Sequence, residues 1–240
     1  MDKANLFAFV IYPYIVLTTF VLGHLYRYFT DRFGWNARSS ELLEKRGTWY
    51  RITLFHWGIL LTLMGHTGGL LIPQRYYDLF GITGQTHTFV AVVAGLLFGL
   101  AAFLGVALLM HRRITRPRIA ATTTLNNMIT LILLFLATGT GLYNVMFGHF
   151  YVLDTIAPWI RGVVILKPDP QLMLDVPLSY KIHILVALTV LGFSPFSRLI
   201  HIWSAPFAYV FRKALVFRKQ KKMPSRGAVP CRTMTSQGLR

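Results

Sequence analysis

Five stretches of this sequence are long and apolar enough to cross a lipid bilayer, and no other feature limits the possible folds as strongly. They run from Leu6 to Tyr26, Ile52 to Ile72, Thr88 to Met110, Leu125 to Phe147, and Leu178 to about His201. Each reaches the roughly 20 helical residues that span about 30 Å of hydrocarbon. Backbone in lipid must satisfy its own hydrogen bonds, and apolar runs without period-two alternation do so as helices, not as barrel strands. The chain therefore reads as an all-α membrane protein with five transmembrane helices. The first stretch reads as a retained helix and not a secretory signal: Lys3 is balanced by Asp2, Pro13 lies mid-span, and no small-residue cleavage site follows.

Net charge is +17, from 25 Lys and Arg against 8 Asp and Glu. In a soluble protein that excess would suggest nucleic acid, but its placement gives another reading. Twenty of the 25 basic residues lie between spans one and two, between spans three and four, and from Arg198 onward; the remaining five are Lys3, Arg75, Arg161, Lys167 and Lys181. Loops rich in Lys and Arg stay in the cytoplasm, so the amino terminus is expected outside and the carboxyl terminus inside. The basic excess is then a topology signal, and no nucleic-acid partner is expected. Residues 1–222 are expected to form the membrane domain, with 223–240 as a mobile cytoplasmic tail of low apolar content.

Within this apolar framework, spans two and five each carry two histidines: His56 and His66, then His183 and His201. A polar side chain in hydrocarbon is unfavourable without a partner. One such histidine is as well explained by a bond to a neighbouring helix carbonyl; four in matched pairs point to ligation, and a low-spin haem takes one imidazole on each face. Spans two and five are antiparallel in the expected topology. His66 therefore pairs with His183 on an outer haem, and His56 with His201 on an inner one. The ten-residue and eighteen-residue spacings correspond to about 15 Å and about 27 Å of straight helix. A bend at Ser194-Pro195 is expected to absorb the difference. On a continuous helix His183 and His201 share one face, while His56 and His66 lie about 80° apart. Cys231 is the single cysteine and no C-x-x-C-H occurs, so any haem is expected to be b-type, held by its axial ligands and by packing.

Smaller signals surround these pairs. Gly58, Gly65, Gly68 and Gly69 in span two, and Gly139 and Gly141 in span four, fit either a flat macrocycle or close helix packing. Arg198 stands one turn before His201 and is a candidate partner for a haem propionate, with Arg112 a second, and Arg113 and Arg118 as further inner-face candidates. The outer connection from Asn144 to Tyr180 is apolar around Trp159 to Leu166, which suggests a short helix along the interface. His24, His87, His111 and His149 read as solvated or interfacial. Inner loops and the basic stretch Arg212 to Lys222 are candidates for docking a soluble partner.

Several strings resemble the gamma, or cytochrome b, subunit of membrane-bound respiratory nitrate reductase. They are IYPYI at 11–15, ARSSELLEKRG at 37–47, FHWGIL followed by GH within 55–66, RPRIAATTT at 116–124, and PFSRLIHIWSAP at 195–206. The resemblance implies a dihaem anchor in the bacterial inner membrane that oxidises quinol near the outer face and releases protons outside. It also implies iron-sulfur (beta) and molybdenum (alpha) partner subunits that receive the electrons and reduce nitrate. The family's axial ligands fall on His56, His66, His183 and His201. A lysine that the family associates with quinol is missing from the loop Thr83 to His87, so Gly65, His66 and His87 are the expected quinol contacts. Two alternatives are a dihaem subunit of a disulfide- or sulfite-type reductase and a haem-free anchor or transporter.

Overall fold

The computed structural model describes residues 3–31 and 48–203. Most of the inner loop between the first two spans, the stretch Arg212 to Lys222, the boundary expected at 222 and the tail expected at 223–240 all lie outside the described residues. Among the described residues there is helix and no strand.

Five helices are long and apolar enough to cross a membrane: α1 (Lys3–Thr30), α2 (Trp49–Leu71), α4 (Gly84–Thr115), α6 (Leu125–Phe147), and a fifth crossing, Leu178–Phe196, whose α-helical part is α8 (Leu178–Phe193). Short elements connect them: α3 (Gln74–Asp78), α5 (Pro117–Ala120) and α7 (Ile156–Val164). Threonines start two of the crossings. Thr83 accepts from the Thr86 amide to cap α4, and Thr124 accepts from the Asn127 amide to cap α6, each satisfying one of the orphan donors of a helix start. Many large side chains, among them Leu22, Leu97 and Val93, are exposed, as a lipid-facing surface requires.

Packing follows an arc: α2 lies on α4, α4 on α6, α6 on α8, and α8 on α1. Glycine sets the tightest of these contacts. A Cβ at Gly58 would stand 2.4 Å from the Ala102 backbone nitrogen, and one at Gly105 would stand 2.6 Å from backbone atoms of Phe55. These two glycines thus serve close helix packing.

Prolines account for the irregular turns. Pro13 has no N–H to offer the carbonyl four residues back, that of Phe9. The chain widens there into a π-helical turn, Phe7–Ile11. The released Phe9 carbonyl accepts the buried indole N–H of Trp159 at 2.9 Å. A second π-helical turn, Thr67–Leu71, follows His66 and ends before Pro73. Its carbonyls are also taken by side chains, Gly68 by the Tyr77 hydroxyl at 3.1 Å and Leu70 by Arg161 Nη1 at 3.0 Å.

The short helix anticipated in the outer connection is α7, but it does more than lie on an interface. Ile156, Trp159 and Val163 are buried in a cluster with Phe9, Met173, Val176 and Ile184, and Ala157 is buried beside them in sequence. Through Trp159 and Arg161, α7 ties the start of α1 to the end of α2, the two ends of the arc.

The fifth crossing departs from expectation. A continuous helix to His201 would need an amide at Pro195, which has none, and its ring crowds the preceding turn. The α-helix stops at Phe193 and gives way to 3₁₀ turns at Ser194–Phe196 and Arg198–Ile202. His201 therefore does not share a helix face with His183, and the length of about 27 Å for straight helix does not apply. α1 packs into this break: a Cβ at Gly23 would lie 2.8 Å from Pro195 Cβ, and Arg27 Nη1 donates to the Pro195 carbonyl at 3.3 Å.

Candidate functional site

The four histidines meet in two pairs. The rings of His66 and His183 have centres 6.1 Å apart, and those of His56 and His201 5.9 Å apart. These are the pairs expected from an antiparallel arrangement of the second and fifth crossings.

Each ring is held by the same nitrogen. His56 Nδ1 donates to the Ile52 carbonyl and His66 Nδ1 to the Thr62 carbonyl, both at 2.8 Å and both four residues back on α2. His201 Nδ1 donates to the Arg198 carbonyl within its own 3₁₀ turn. His183 reaches across to α6, where Nδ1 lies 3.1 Å from the Ala137 carbonyl and 3.2 Å from Thr140 Oγ1. A carbonyl only accepts, so every Nδ1 carries hydrogen and every neutral ring keeps its lone pair on Nε2. Metal-bound histidines are oriented in this way, with the second nitrogen donating to a carbonyl or carboxylate.

The donor set fits haem better than a bare ion. Two imidazoles on opposite sides of one metal, each bonded at about 2 Å, have ring centres about 6 Å apart. Among the described residues, no group of three or more His, Cys, Asp or Glu could hold a metal ion. Two donors fall short of the four that a structural zinc requires. They suffice for haem iron, which brings its other four nitrogens with it.

The surroundings differ around each pair. Gly141 on α6 presses against the His183 ring: a Cβ there would be 2.9 Å from Cε1. At Gly65 a Cβ would meet nothing within 4 Å, so the space beside His66 is open. Gly139 faces Phe103, which is ordinary packing. Near His201, Arg198 Nε donates to Asn127 Oδ1 on α6 at 2.6 Å, and Arg113 Nη1 donates to Thr123 Oγ1 at 3.3 Å. Arg198 lies outside the crossings, and burial holds its guanidinium below the usual arginine range. Arg112 is buried at the end of α4 and lines a cavity of about 260 Å³ with Arg51, His111, Thr115 and Arg116.

Of the remaining histidines, His24 bonds Ser194 Oγ at 3.2 Å between Phe20 and Trp203, a packing role. His87 is buried, not solvated, at 8% exposure. It bonds Gln74 and packs against Tyr77 with the two rings tilted by 45°, and its Nε2 lies 3.5 Å from the place a Cβ would take at Gly69. The structure thus sets His87 about one turn beyond His66. Thr140, Gln74, Tyr77 and Arg161 are missed by sequence reasoning. Thr140 had the small-residue run 137–141 as its only signal; the others sit in the short connecting helices α3 and α7, where no motif marks them.

Comparison with known proteins places the chain in a family. The family described as nitrate reductase gamma subunit matches residues 5–220. The nitrate reductase gamma chain of Bacillus subtilis (strain 168) is 42% identical over 214 residues, covering 88% of this chain and 96% of the relative. The respiratory nitrate reductase 1 gamma chain of Escherichia coli (strain K12) is 34% identical over 223 residues, 91% of this chain and 99% of the relative. A nitrate reductase-like protein of Mycobacterium tuberculosis (strain ATCC 25618 / H37Rv) is 36% identical over 217 residues, which cover 88% of this chain but 33% of that longer protein.

Proposed function

Because the chain belongs to the nitrate reductase gamma subunit family, we propose that it is the quinol-oxidising dihaem cytochrome b of such a complex. It is a membrane anchor and a subunit of an oxidoreductase, associated with the other nitrate reductase subunits. His66 and His183 would hold one b haem near the outer face, and His56 and His201 the second near the cytoplasm. The observation that carries this reading is the shared state of the four imidazoles: each Nδ1 donates to a carbonyl, and each Nε2 is left for a metal across a gap of matching width. Family membership favours nitrate reductase over a disulfide- or sulfite-type reductase, and the histidine pairs argue against a haem-free transporter.

When bound, the two haems supply one-electron carriers from quinol on the outer side towards an iron-sulfur (beta) subunit and a molybdenum (alpha) subunit that reduces nitrate. The chain's own residues orient the pieces. Ile52, Thr62, Ala137 and Arg198 fix the ring planes through their carbonyls, and Gly141 gives the His183 ring its room. Asn127 holds Arg198 beside His201, where its charge suits a propionate; Arg112 is the second candidate. The open space at Gly65, beside His66 and about one turn from the notch at Gly69 that His87 faces, suits a quinol ring, and released protons would leave outwards. We assign the chain to the bacterial inner membrane with its amino terminus outside.

Replacing the histidines one at a time tests the pairing. His66→Ala or His183→Ala should remove about half of the haem, the outer one, and His56→Ala or His201→Ala the inner one, with one haem site lost per ligand. Redox-resolved absorption spectra of the purified complex distinguish the two. Loss of both haems by every variant, or of neither, refutes the assignment.

A further inference from the structure

His87 is held in one hydrogen-bonding state from outside the bundle. Its Nδ1 lies 2.8 Å from Gln74 Oε1, and its ring packs on Tyr77 with centres 4.5 Å apart. The Gln74 amide has one orientation only. Its Nε2 donates to Asp78 Oδ1 at 2.9 Å and to the Ile82 carbonyl at 2.8 Å, and a carboxylate and a carbonyl can only accept. Oε1 is therefore the atom facing His87, so Nδ1 must donate to it. A neutral ring then carries its lone pair on Nε2. Among the described residues that nitrogen has no hydrogen-bond partner and is not one of the sealed, unpartnered atoms. It looks into the notch that Gly69 leaves. Gly65, with open space before it, lies four residues back on the same helix, about one turn away.

We propose that Gln74 is a positioning residue for the quinol site: it fixes His87 as an acceptor, presenting Nε2 to a hydroxyl of a quinol seated along Gly65 and Gly69. The proposal rests on the quinol reading above and adds a basis for discrimination. A quinol oxygen carries a hydrogen to donate, whereas the oxygens of the quinone product only accept. An acceptor-only nitrogen therefore binds the reduced form and repels the oxidised one. Substrate is retained and product released at the same contact.

The test uses the intact complex in membranes, with menadiol as donor, nitrate as acceptor and menadione as product inhibitor. Gln74→Leu removes the acceptor facing Nδ1 and frees the ring to carry its hydrogen on Nε2. It should raise the KM for menadiol about tenfold, the scale of one misplaced polar contact, with kcat changed less than about twofold. Inhibition by menadione should tighten. In a His87→Ala background, Gln74→Leu should add nothing further, because its effect passes through that ring. If Gln74→Leu does not assemble, Gln74→Met of similar length takes its place. The proposal is overturned if the KM stays parental with haem spectra intact, or if the loss is equal with and without His87. If His87→Ala itself keeps a parental KM, the quinol reading at this residue fails; if only His87→Ala is impaired, the role of Gln74 alone fails.

Discussion

Single atoms decide whether the histidines can act as ligands. An intramembrane imidazole with both nitrogens committed to carbonyls would be structural. Here the carbonyls of Ile52, Thr62, Ala137 and Arg198 take one nitrogen from each ring and leave the other. Four histidines stood out in the sequence because they are polar residues in apolar runs. Their tautomers did not, since a tautomer depends on which carbonyl each ring reaches, and for His183 that carbonyl is 46 residues away. Gly141 is similar: its meaning appears only in the 2.9 Å between its missing Cβ and His183. Gly141→Ala should push that ring off its plane. We expect loss of the outer haem spectrum, or a shifted potential for it, with the inner haem unchanged; overpacking of this kind costs about 1–3 kcal/mol. An unaltered outer haem would show that the ring has room to spare.

At the scale of elements, proline explains why the crossings are not uniform rods. Pro13 opens the π-helical turn that receives Trp159, and Pro195 stops α8 so that His201 arrives on a 3₁₀ turn. The sequence located both prolines but did not give the outcome. A proline removes one hydrogen bond, and whether the chain bends, widens or breaks depends on what fills the gap. Gly23 and Arg27 of α1 fill it at Pro195. Restoring the amide with Pro195→Ala should favour continued α-helix and rotate His201 away from His56. The inner haem should be lost or weakened while the outer one persists, as read by haem-to-protein ratio and redox titration. Equal loss of both haems would mean that the break supports the whole bundle instead.

For the molecule as a whole, the arc of helices leaves α2 and the fifth crossing facing each other through histidine rings, and α7 ties the ends of the arc together at the His66 end. In the proposed orientation, which rests on the charge asymmetry, that end faces outside. With Cys231 replaced by Ser, a cysteine at Lys167, exposed next to α7, should react with a membrane-impermeant maleimide in intact cells with the outer membrane opened. One at Arg118, exposed beyond α4, should react only after the inner membrane is permeabilised. The reverse pattern would invert the assigned direction of electron flow.

Apolar length and the position of polar exceptions are local properties, so the sequence by itself determined five crossings, their approximate limits and the four histidines. Pairing also followed, because antiparallel neighbours leave few choices. Tertiary structure alone decided the state of each nitrogen, the turn that carries His201, the closing role of α7 and the grip of Gln74 on His87. Those depend on carbonyls and amides brought together from distant segments, and such meetings are set by packing, which no local pattern encodes.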